Sequence, residues 1–117
     1  MKEYKRWFVD EKDLIGLDTI RARDIIIKCF FEAQKETFAR VKETLGRKVN
    51  DNEILDSVTN AVKLVFKEVN GSFAHPSKQD LLNVVERLAS KSASWGTPQD
   101  IIEHHKTQIE KVLRALR

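Results

Sequence analysis

Cysteine is almost missing from this chain. Cys29 is the only one in 117 residues, so no intrachain disulfide can form and the fold must rest on its own core. That thiol lies in the run Ile25-Ile26-Ile27-Lys28-Cys29-Phe30-Phe31, where burial predicts an inert sulfur and not a nucleophile. Two prolines and four glycines leave long stretches unbroken, which argues against a β-rich or disordered chain. No apolar run approaches the roughly 20 residues that a membrane helix needs. Charged residues also interrupt the N-terminal MKEYKRWFVDEKD before a signal-peptide core can form. The chain is therefore expected to carry neither signal peptide nor anchor and to reside in the cytoplasm. A dominant charge is lacking too: 21 basic and 18 acidic residues give a net +3. Because the two signs are mixed along the chain, that balance alone does not imply a polyanionic partner.

Several chemical signatures are likewise missing. There is no glycine-rich phosphate loop, no nucleophile elbow, no Glu-x-x-His motif and no pair of histidines at i, i+4. The sequence predicts no catalysis and no cofactor.

What is present is helical periodicity. Residues 19–45 contain no Gly or Pro, and Ile20, Ile27, Phe31, Phe38, Val41 and Leu45 recur at the spacing of one helical face. Asp18 or Thr19 can cap this helix, and Gly46 with Arg47 and Lys48 can end it. A second helix over 51–69 begins at Asn50 or Asp51, buries Ile54, Val58, Val62, Val65 and Val69, and stops at Asn70-Gly71. Pro76 makes SFAHP a loop, and Ser77 with Asp80 starts a third helix over 78–93 with Leu81, Val84, Val85 and Leu88 inward.

In SWGTPQDIIEHHK, Gly96 permits a left-handed turn, Thr97 is a good N-cap and Pro98 suits a first helical position. This predicts a fourth helix over 98–116 whose apolar face includes Ile102, His105, Ile109 and Val112. His104 is turned about 100° away from that face, where Asp100 is its expected partner. Residues 1–17 form an extension that docks on the bundle, with a short helix starting near Asp10. The expected architecture is all-α: one compact domain of four main helices with a short N-terminal extension.

Three functional readings follow. The leading one is an interaction or assembly module, bound to a protein partner or to itself as a homodimer, through Trp7, Phe8, Ile26, Phe30 and Trp95, since aromatic groups anchor interfaces. The second is a weak nucleic-acid binder using Arg21, Lys28, Lys35 and Lys42, which recur every seven residues on the first helix. Asp24, Glu32, Glu36 and Glu43 are spaced to neutralise that helix by ion pairs. The third and fourth helices, joined across SWGTP, also invite comparison with a helix-turn-helix, although Gln99, Asp100 and Glu103 would meet the phosphates. The third reading is metal or small-ligand binding near His105, set against a histidine hydrogen-bonded within the core.

Overall fold

The computed structural model describes residues 6–45 and 50–116, with side chains in the first helix through Arg40. A 3₁₀ turn (Glu11–Leu14) precedes four helices: α1 (Thr19–Leu45), α2 (Asp51–Glu68), α3 (Lys78–Ser94) and α4 (Gln99–Ala115). There is no strand among the described residues, and the helices form a compact all-α bundle. No described helix is long and apolar enough to cross a membrane.

Local chemistry accounts for most boundaries. Asp18 Oδ1 accepts from the Arg21 amide at 2.8 Å and Asn50 Oδ1 from the Glu53 amide at 2.8 Å, each satisfying a donor that the helix start leaves free. At α3, Ser77 Oγ accepts from the Asp80 amide at 3.0 Å while Asp80 accepts from the Ser77 amide at 3.1 Å, a reciprocal capping box. Asp80 also accepts from the Ser72 amide, so one carboxylate ties the preceding loop to the helix. Hydrogen bonds from the Ser77 and Ser72 amides hold it below its ordinary titration range. Replacing Ser77 by Ala is expected to cost about 1 kcal/mol, read as a lowered urea midpoint with unchanged m-value.

The left-handed residue after α2 is Asn70 (φ 57°) and not Gly71. Gly71 is needed for space: a Cβ there would lie 3.1 Å from Asp80 Cγ and 3.2 Å from a Phe66 ring carbon. Gly96 does take a positive φ of 83°. Thr97, however, does not cap α4. Its Oγ1 accepts from Gln34 Nε2 at 3.2 Å, and Pro98 precedes the helix without a side-chain cap. The glycine stop expected at Gly46 and the basic residues Arg47 and Lys48 lie outside the described residues.

α1 touches each of the other helices, which explains its excess of apolar residues. Its buried stripe is Ala22, Ile26, Cys29, Phe30 and Ala33. The face expected from the sequence, Ile20, Ile27, Phe31 and Phe38, lies on the opposite half of the helix at about 100° per residue. Ile20 and Phe38 are exposed there, while Phe31 is covered, with the Lys28 and Lys35 ammonium groups 5.1 and 5.2 Å from its ring centre. The stripe used instead is richer in small residues, whose short side chains let neighbouring helices approach. Phe66, Leu81, Leu88 and Val112 fill the centre from the other three helices.

Candidate functional site

The first turns of α4 lie under the N-terminal extension. Val9 donates its amide to Gln108 Oε1 at 2.9 Å, and His104 Nε2 donates to the Trp7 carbonyl at 2.8 Å. The latter contact fixes the His104 proton on Nε2, because a carbonyl can only accept. Phe8 meets the His104 ring edge-on at 4.8 Å between centres. Trp7 lies parallel to the His105 ring with the centres 6.4 Å apart. Residues 6–9 thus act as a strap across α4.

Arg6 anchors that strap. Its guanidinium donates to Glu36, with Nη2 3.1 Å from Oε2, and also to Asp100. Arg40 reaches the same two carboxylates at 2.8 and 2.6 Å. Glu36 is buried, its side chain only 2% exposed, and its pairing with Arg40 one turn on is the ion pair its spacing implied. Asp100 is half exposed, and hydrogen bonds from Arg40 first and then Arg6 hold its carboxyl well below the usual range. It is therefore engaged by arginines, and not by His104 as the one-turn spacing implied.

Beneath the strap sits His105, 3% exposed. Among the described residues neither Nδ1 nor Nε2 has a hydrogen-bond partner, so the expectation of a core histidine bonded to a neighbour holds for its burial and finds no bonding partner there. Desolvation first, with smaller contributions from His104 and Arg6, pushes its pKa down to about 4. The ring is neutral at pH 7, offering one N–H donor and one lone pair.

That ring lines a small pocket of about 30 Å³ between α1, α3 and α4. Phe30 and Ala33 form one wall, Val85 and Ala89 a second, and Ile102 and Ile109 flank His105 on the third. Two hydroxyls also line it: Ser92 Oγ donates to the Leu88 carbonyl at 2.9 Å, and Thr97 Oγ1 accepts from Gln34. Lys106, exposed, marks the rim.

The residues expected to form an interface separate on folding. Ile26 and Phe30 are 2% and 7% exposed, because α1 is covered within its own bundle, so they are core residues and not an external patch. Trp7 is half-buried in the strap, and Phe8 and Trp95 are exposed. Trp7 and Phe30 nevertheless both adjoin His105, one through its ring face and one through the pocket wall.

The basic stripe is largely matched by acids. Lys28 pairs with Glu32 at 3.0 Å, and Lys35 lies 3.9 Å from Glu32 and 3.7 Å from Asp51. Arg21 donates to the Asp13 carbonyl, and the Lys42 side chain lies outside the described residues. Asp24 pairs with Arg23 instead of Lys28. The N-terminal half of α4, which a helix-turn-helix would insert into DNA, carries the strap and Asp100 on its surface.

Among the described residues no three His, Cys, Asp or Glu side chains converge as metal ligands. Cys29 is buried and its thiol is pushed up to about 12 by desolvation. It is expected to resist a thiol reagent in the native protein at pH 8 and to react at once after denaturation, as an absorbance assay with an aromatic disulfide would report.

The fold and site together define a helical bundle with a strapped, histidine-bearing apolar pocket. No protein-family model, curated protein or solved structure matches the chain. The residues themselves are therefore the ground for assigning a role.

Proposed function

We propose that this protein is a non-catalytic binding module that takes a small organic ligand at the His105 pocket. One observation carries the reading: a buried imidazole, with both nitrogens unpartnered among the described residues, forms part of the wall of a largely apolar pocket. Leaving a buried polar group unsatisfied costs about 1–3 kcal/mol, whereas an apolar side chain of similar size would cost nothing of the kind. The surroundings favour binding over reaction, because Cys29 stays protonated and His105 has no carboxylate to orient it. A free, buried thiol also suits a cytoplasmic setting.

Assembly with a protein partner has weaker support. The most exposed large apolar residues, Phe8, Ile15, Leu64 and Trp95, belong to different elements and are the scattered kind that most surfaces carry. The test of the binding reading is an NMR screen of small apolar probes against the native protein. Saturable shifts of the Val85, Ile102 and Ile109 methyls, lost when Ala89→Phe fills the pocket, are expected. A screen in which no probe moves those methyls would overturn the reading.

A further inference from the structure

The size and lining of the pocket restrict what it can hold. We infer that its ligand is a short straight-chain aliphatic carboxylate, with the chain end in the pocket and the carboxylate at the mouth on the Lys106 ammonium. This rests on the proposed binding role and specifies its ligand.

Size comes first. A water occupies roughly 10–15 Å³ of such space, and an apolar cavity of about 150 Å³ holds benzene. The pocket here has about 30 Å³, so it admits a methyl group or the end of an alkyl chain and not a whole ring. Its walls from Phe30, Ala33, Val85, Ala89, Ile102 and Ile109 are apolar. The part of the ligand that enters is therefore slender and apolar.

Charge comes second. Among the described residues that line the pocket, Lys106 is the only cation, since His105 is neutral at pH 7. An exposed lysine bordering an apolar pocket lays its methylene stem along the wall and keeps its ammonium in water. Glu103 and Glu110 stand three and four residues from it on the same helix. Lys106 nevertheless forms no ion pair among the described residues. Its ammonium is left to meet an anion at the mouth.

The hydroxyls come third. Thr97 Oγ1 keeps a proton to donate and Ser92 Oγ keeps lone pairs to accept. A carboxylate drawn inward to reach Thr97 would lose its hydration without gaining a counter-ion. The two ends of the ligand are thereby sorted, hydrocarbon inside and charge at Lys106. An alcohol is the rival that the hydroxyls would favour, and an amine is the one that Lys106 would repel.

The test places three head groups on one chain: pentanoate, 1-pentanol and pentylammonium. Each is titrated into the full chain at pH 7 and low salt while the Val85, Ile102 and Ile109 methyls are followed by NMR. Pentanoate is expected to bind about threefold more tightly than 1-pentanol and about tenfold more tightly than pentylammonium, the scale of solvent-exposed charge contacts. Added salt should shrink the preference for pentanoate over pentylammonium, Lys106→Met should abolish it, and Ala89→Phe should exclude all three probes. Equal affinities, or a preference for 1-pentanol, would overturn the carboxylate assignment and leave the pocket reading standing. A pentanoate preference that survives Lys106→Met would place the anion elsewhere and overturn the inference. Binding of none of the three at millimolar concentration would overturn both.

Discussion

Replacing His105 by leucine is expected to stabilise the protein, by about 1–3 kcal/mol at pH 7. The reason is that the ring is buried with neither nitrogen bonded among the described residues, and leucine fills a similar volume with no polar group to desolvate. Most core substitutions destabilise, so the sign is the informative part. Urea unfolding gives the result directly as a higher midpoint at unchanged m-value.

The same residue makes stability depend on pH. Its folded pKa of about 4 lies below the value near 6.5 of an unfolded chain, so between those values the unfolded state binds more protons. Stability therefore rises with pH across that window. It is fully present above about 6.5 and falls with acidification, with the loss complete once the folded ring also protonates near pH 4. The full difference is about 3 kcal/mol. His105→Leu removes this slope. The contributions of Asp80, Glu68 and Asp100, all held below their usual ranges, are retained above their unfolded pKa values, near 4, and fade only below that. Midpoints at pH 7 and pH 4.7 for the two proteins therefore separate the histidine from the carboxylates.

Glu36→Ala is expected to act in the opposite direction, with a loss of about 2–3 kcal/mol. The buried carboxylate accepts from Arg6 and Arg40, and removing it forfeits charge-assisted bonds and opens a void. The cost stays at the lower end for a broken buried pair because both guanidiniums keep Asp100 and are partly solvated. The strap should loosen as well, since Arg6 is its anchor. Hydrogen exchange at the Val9 amide, now bonded to Gln108, should accelerate beyond what the global stability change explains. Exchange that tracks global stability alone would show that Arg6 does not hold the strap.

The helix pattern was readable because its signals are local. Ser77 with Asp80, Asn50 with Glu53, Gly96 and the gap around Pro76 each act within a few residues, and the helices begin where those residues place them. The inward face of α1 was not readable. A helix that is apolar almost all round gives periodicity no direction, and the small side chains of Ala22, Cys29 and Ala33 matter through close approach, which hydrophobicity does not register.

The candidate site was legible in one residue only. His105 stood out as a histidine on an apolar face, but its missing partners depend on Trp7, Phe30 and Ile102 being brought around it. Arg6, Glu36 and Asp100 are separated by 30 and 94 residues from Arg6 along the chain, and ion pairs at such distances leave no local trace. Gln108 carried one usable signal, a polar residue directly beside Ile109 on the inward side of α4.

The methyl spectrum of Val85, Ile102 and Ile109, which line the pocket, decides whether it binds a ligand when toluene is added at pH 7. Saturable shifts of those methyls in the wild-type protein, absent in Ala89→Phe, are expected. Methyls that stay fixed while the probe is raised to millimolar concentration would contradict a binding role.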